Sequence, residues 1–165
     1  MSSHICSPDC TYISISCLFN DDLVFDVQGG QKEVRNHSSI ILYQKHGGSN
    51  QQFSLTYRGN GYHSIDLVGT DFVLDVEASN TDAGTNVILW KYHGGKNQLW
   101  MLEPNDSATS SQHAAYTFRS KADLNKVLDV NRGAAPNNLI IWDFHGGENQ
   151  VFKMRGAKPP KCSLQ

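Results

Sequence analysis

One thirteen-residue frame is written three times in this chain, and that repetition limits the possible folds more than any other feature. Residues 41–53 read I-L-Y-Q-K-H-G-G-S-N-Q-Q-F, residues 88–100 read I-L-W-K-Y-H-G-G-K-N-Q-L-W, and residues 140–152 read I-I-W-D-F-H-G-G-E-N-Q-V-F. An aromatic residue, His, Gly-Gly, Asn-Gln and a second aromatic recur at the same internal spacing. Upstream of each copy stands an apolar-Asp-Val step: Phe25-Asp26-Val27, Leu74-Asp75-Val76 and Leu128-Asp129-Val130. Tyr12, Tyr62 and Tyr116 form a looser marker farther back. The aspartates recur about every fifty residues, a period that signals a repeat architecture. The length that varies lies between Asp and the first aromatic, where a surface loop absorbs insertions.

Short alternating runs surround the frame. Residues 12–18, 23–27, 40–44 and 52–57 read as four strands of a first unit. Residues 62–68, 72–76, 87–92 and 99–102 repeat the order, and residues 116–120, 127–130, 139–144 and 151–154 repeat it again. Asn20-Asp21-Asp22 reads as a turn, residues 28–39 as a polar loop and residues 105–112 as a Ser/Thr-rich connector. No stretch of ten or more residues carries helical periodicity. Many short strands with turn residues between them predict an all-β barrel or sandwich. A barrel of pseudo-three-fold symmetry, taking two strands from each unit and capped by the other two, closes them with few edges. A single domain is expected over residues 12–156, with repeats at about 12–58, 59–104 and 114–156. An arm at 1–11 and a tail at 157–165 flank it.

Composition excludes several partners. At 165 residues the chain suits one domain with an adequate core. Charged residues make up 18% and the formal net charge is −2, with no basic stripe, so neither nucleic acid nor an anionic membrane is favoured by bulk charge. No apolar run approaches the ~20 residues that span a bilayer, so no membrane insertion is expected. Residues 1–17 lack the basic and apolar regions of a signal peptide, which predicts a cytoplasmic protein or one released without such a peptide. Cys6, Cys10, Cys17 and Cys162 all fall outside the frames. They read as free thiols, as a bridge to Cys162 that requires neighbouring termini, or as a zinc site with an unusually loose C-x3-C spacing. Asn36-His37-Ser38 and Asn105-Asp106-Ser107 are glycosylation triplets that matter only in a secretory path. No cofactor and no metal are expected.

The repeated polar residues suggest a binding chemistry. Asp26, Asp75 and Asp129 read either as turn carboxylates or as acceptors for two neighbouring hydroxyls, since an ionised carboxylate only accepts. Of the two aromatic positions that recur in every frame, the later ones, Phe53, Trp100 and Phe152, are assigned to the core. Tyr43, Trp90 and Trp142 are then free to offer a flat ring to the C–H face of a sugar. His46, His93 and His145 read as ring bonds to the turn or as donors at a pocket rim, and a rim role predicts weaker binding below about pH 6. The glycine pairs permit positive φ and close backbone approach. They bring Asn50, Asn97 and Asn149 back toward the aspartates. Gln51, Gln98 and Gln150 join the sugar-binding set mainly as braces for the aspartate or the turn.

With these residues the chain resembles the ricin B-type β-trefoil lectins, marked by a thrice-repeated Q-x-W or Q-x-F motif. That motif stands here as Gln51-Gln52-Phe53, Gln98-Leu99-Trp100 and Gln150-Val151-Phe152. The resemblance covers residues 12–155. It extends to Asp26/Tyr43/His46/Asn50, Asp75/Trp90/His93/Asn97 and Asp129/Trp142/His145/Asn149, and to Ile41, Ile88 and Ile140 two residues before each ring. It implies a β-trefoil fold and terminal galactose or N-acetylgalactosamine as ligand, with Asp and Asn taking the 3- and 4-hydroxyls. Backbone contacts are implied at Gly29, Ala78 and Arg132. Plant members carry disulfides inside their repeats, whereas this chain has no cysteine there, and its H-G-G loops are closer to fungal and other non-plant members.

The reading is therefore a lectin with up to three shallow sites that binds multivalently without catalysis, its partners being glycans ending in galactose or N-acetylgalactosamine, with a homodimer among the options. The 28–39 loop and Asn20-Asp21-Asp22 are expected to reshape the first unit's site. Replacing Asp75 or Asp129 by Ala is expected to remove a site and leave the fold intact. An enzyme is the first rival, but no G-x-S-x-G elbow is present and each unit repeats one carboxylate where a glycosidase needs two. The second rival is a trefoil whose loops bind protein, such as a protease inhibitor, which has no need of the polar tetrad.

Overall fold

The alternating runs form twelve strands, all antiparallel, in a computed structural model that describes residues 12–133 and 136–156. The first repeat holds β1 (Ile13–Cys17), β2 (Asn20–Val27), β3 (Ile40–Gln44) and β4 (Phe53–Gly59). The second holds β5 (Tyr62–Leu67), β6 (Phe72–Val76), β7 (Val87–Lys91) and β8 (Trp100–Pro104), and the third β9 (Ala114–Ser120), β10 (Asp123–Val130), β11 (Leu139–Asp143) and β12 (Phe152–Gly156). The outer strands of each repeat pair in a closed ring: β1 with β4, β4 with β5, β5 with β8, β8 with β9, β9 with β12 and β12 with β1. The inner strands make three hairpins, β2–β3, β6–β7 and β10–β11, that cap this six-stranded barrel. The fold is a β-trefoil.

One ring per frame fills the barrel. Phe53, Trp100 and Phe152 are fully buried, and Phe25 meets Phe152 and Phe53 edge-on at 5.2 and 6.1 Å between ring centres. Such tilted pairs suit the charge distribution of aromatic rings. Leu67, Leu74, Leu89, Leu128 and Ile141 close the core around them.

Two strand starts differ from the sequence reading by about three residues or more, the other boundaries by at most two. Asn20-Asp21-Asp22 is not a turn. Leu18 and Phe19 turn the chain, and β2 already runs from Asn20 with a shifted register against β1. Asp21 is fixed there by Lys153 and by Arg155, whose Nη2 lies 3.2 Å from its Oδ2. β10 likewise starts at Asp123, before the expected residue 127, again with a register shift against its neighbour. The expected arm and tail lie outside the described residues, as do Cys6, Cys10 and Cys162. Cys17 is a buried free thiol. Ile13 pairs with Gly156, so the strands leading to the two termini are neighbours, the condition a terminal bridge requires.

The repeats interlock head to tail. The N–H of His37 donates to the Leu89 carbonyl (3.0 Å), and the Leu89 N–H donates to Ser38 (2.9 Å). Gly84 and Thr85 make the matching pair of bonds with Ile141, and the Leu42 N–H donates to Asn137. The loop before each cap strand therefore lies along a cap strand of another repeat: first on second, second on third, third on first.

Candidate functional site

The three aspartates occupy one register position, opposite Ile41, Ile88 and Ile140 in the cap hairpins. They are nearly buried, with 4%, 3% and 3% exposure for Asp26, Asp75 and Asp129. Two amides hold each carboxylate. Gln51, Gln98 and Gln150 donate from Nε2 to Oδ2 at 2.8 Å in every copy. Asn50, Asn97 and Asn149 donate from Nδ2 to Oδ1 at 3.1, 3.1 and 3.0 Å. Burial pushes all three carboxyls above their ordinary range, and the Gln bond and the neighbouring histidine only partly offset it. Each carboxylate oxygen keeps a lone pair for a further donor.

The glutamines are fully committed. Their second Nε2 proton goes to the carbonyl of Gln44, Lys91 or Asp143. Their Oε1 accepts the N–H of the repeat histidine and that of the first glycine. Buried and with both donors and both acceptor positions in use, they support the site from behind, which narrows their place in the sugar-binding set to that of braces. The asparagines give their second proton to the carbonyl of Val27, Val76 or Val130. Only Oδ1 is left to them, so they offer an acceptor and not the donor-acceptor pair that the residue type allows.

The H-G-G turn explains its own sequence. Nδ1 of His46, His93 and His145 accepts the N–H of the second glycine at 3.0 Å. The neutral ring then carries its proton on Nε2, which faces the Asp Oδ2 at 3.5, 3.8 and 3.8 Å. Each histidine thus braces the turn and leaves one N–H at the rim. Gly47, Gly94 and Gly146 have φ of 76°, 81° and 74°. Gly48, Gly95 and Gly147 have ordinary φ, but a Cβ there would come within 2.8, 2.6 and 2.6 Å of the histidine ring. The first glycine supplies the conformation and the second supplies the space.

The first aromatics stand outside. Tyr43 is 53% and Trp142 43% exposed, and Trp90 is half-buried. Trp90 is narrower because the His37 ring stands across it at 4.5 Å and 86°. The far end of the 28–39 loop therefore shapes the second site, not the first, because that loop hydrogen-bonds along β7. Asn36 Oδ1 also accepts the Lys91 N–H at 3.0 Å. Gly84 holds the corresponding place beside Trp142, where a Cβ would lie 3.5 Å from the indole. Asn137 bonds the strand that carries Tyr43. Reading each repeat by itself misses these neighbours, and no motif marks them. Of the implied backbone contacts, Gly29 and Ala78 have positive φ (92° and 54°), while Arg132 stacks on Phe19 at 3.8 Å.

Three copies of an acceptor-lined floor beside an aromatic ring, on a trefoil, define a carbohydrate-binding lectin. The ricin-type beta-trefoil lectin domain-like family matches residues 9–90 and 49–142. The chain belongs to that family. No curated protein matches the sequence. Among solved structures it is similar to a designed three-fold symmetric protein, ThreeFoil (TM-score 0.75, 28% identity, covering 87% of this chain and 97% of that one). It is also similar to an exo-β-1,3-galactanase from Clostridium thermocellum (TM-score 0.76, 28% identity, 91% of this chain), of which it spans 31%. The C-half of an earthworm R-type lectin, solved in complex with GalNAc, shares the fold (TM-score 0.64, 21% identity, 89% of this chain and 99% of that one).

Proposed function

We propose that this lectin binds terminal galactose or N-acetylgalactosamine at up to three sites and acts by multivalent attachment without catalysis. The observation that carries the reading is the thrice-built pairing of a braced carboxylate with an aromatic ring, exposed at Tyr43 and Trp142 and half-buried at Trp90. Adjacent hydroxyls on one edge of the sugar donate to the Asp oxygens and the Asn Oδ1, the histidine Nε2–H donates to the sugar, and the apolar C–H face lies on Tyr43, Trp90 or Trp142. The GalNAc complex of the earthworm lectin supports this ligand class. That each unit repeats only one carboxylate, Asp26, Asp75 or Asp129, supports binding without hydrolysis, which needs two across one bond.

A shallow site of this kind binds one sugar at a Kd of ~1 mM, about −4 kcal/mol. Several sites on one glycosylated surface gain ~10²–10⁴ in avidity. The test is a glycan array followed by competition with free galactose. Retention of galactose-terminated glycans, released by the free sugar, is the expected result. A partner that no sugar displaces would establish the protein-binding trefoil instead.

A further inference from the structure

The exposed rings of the repeat histidines are already engaged. His46, His93 and His145 each bind a glycine N–H. His113 meets Ser110, the Ala108 carbonyl and Arg155. His37 is different. Its ring nitrogens have no hydrogen-bond partner among the described residues, and its one ring contact is with Trp90 at 4.5 Å. Its backbone has φ of 77°, a left-handed conformation that side chains rarely adopt. The bonds to Leu89 and the Asn36–Lys91 bond hold it there. Strain kept in place by surrounding structure points toward function. The ring contact with Trp90 places the imidazole beside the indole of the second site. The equivalent wall of the third site is Gly84, which brings no side chain at all.

We propose that His37, contributed by the first repeat, is the specificity-determining residue of the second repeat's site: it hydrogen-bonds a hydroxyl of the sugar next to the one stacked on Trp90. The second site thereby takes a galactose-terminated disaccharide or longer end, and the third takes the terminal sugar alone. A neutral imidazole offers one donor and one acceptor, which suits a hydroxyl. The proposal rests on the galactose reading of the sites.

The test uses the full chain carrying Tyr43→Ala and Trp142→Ala, so that the second site alone is read, with galactose and lactose as probes in calorimetry. The parent should prefer lactose by about three- to tenfold, the worth of one net hydrogen bond. His37→Gly relieves the backbone strain and should erase that preference. His37→Asn tolerates the same φ, keeps a donor and an acceptor, and should restore part of it. A parent without preference, a preference that survives His37→Gly, or a parallel loss of both sugars would overturn the proposal, the last by showing that His37 only positions Trp90. A parent that binds neither sugar would refute the galactose reading itself, before any His37 variant is made.

Discussion

Each frame carries two aromatic residues ten positions apart, and they meet opposite fates. Phe53 and Phe152 open the barrel strands β4 and β12 and are wholly buried; Tyr43 and Trp142 sit on the cap strands β3 and β11 and are about half exposed. Size and apolarity do not separate them, since Trp142 is larger than Phe152. Strand position does. The first residues of β4 and β12 point into the core, where Phe25 waits. On the cap strand the inward places are taken by Leu42 and Ile141, which leaves the next residue outside. The later ring of each frame joins Phe25 and Phe118 in the core, and the earlier ring is left for a ligand.

The largest test of this contrast is Phe53→Ala. It should cost about 3–5 kcal/mol in chemical denaturation, as for other large core truncations. Asp75→Ala should fall in the middle, at about 1–3 kcal/mol, because it strands the buried Gln98 and Asn97 amides that now donate to it. That outcome amends the expectation of an untouched fold: the carboxylate is floor and fastening at once. Sugar binding at the second site should vanish with it, and full stability of the variant would show that the amides find other partners. Trp142→Ala should change stability by less than about 0.5 kcal/mol while abolishing binding at the third site. Equal destabilisation by Trp142→Ala and Phe53→Ala would break the division between core ring and ligand ring.

The fold was legible because three features agree: the copied frame, the alternating runs and the split between the two aromatics. The inner wall of each site was legible for the same reason, as Asp, ring, His and Asn all recur. Their bonding was not. That Asn50 offers only Oδ1, and that Gln51 offers nothing, depends on carbonyls of Val27 and Gln44 that any sequence would supply. The outer wall was invisible for a topological reason. His37 belongs to one repeat and packs on the ring of another, and pattern reading within a repeat assigns the far end of its loop to the first site alone. Asn20-Asp21-Asp22 misled because turn chemistry ignores Lys153 and Arg155, which come from the far end of the chain.

The smallest effect concerns acid. Asp26, Asp75 and Asp129 have carboxyls raised above the ordinary value of 3.8, first by burial. Between 3.8 and the raised value the folded protein binds more protons than the unfolded chain, so acidification through this window adds stability from these groups. The contribution is complete below 3.8 and is lost as pH rises past the raised value. Binding has the opposite sign, because a protonated carboxyl loses an acceptor the sugar hydroxyls need. Calorimetry with galactose and thermal unfolding in the same buffers from pH 7 to 4 should therefore diverge: affinity falls while the three aspartates favour the fold. Affinity and stability falling together would mean that acid acts on the scaffold, and the carboxylates would lose their place as the ligand's acceptors.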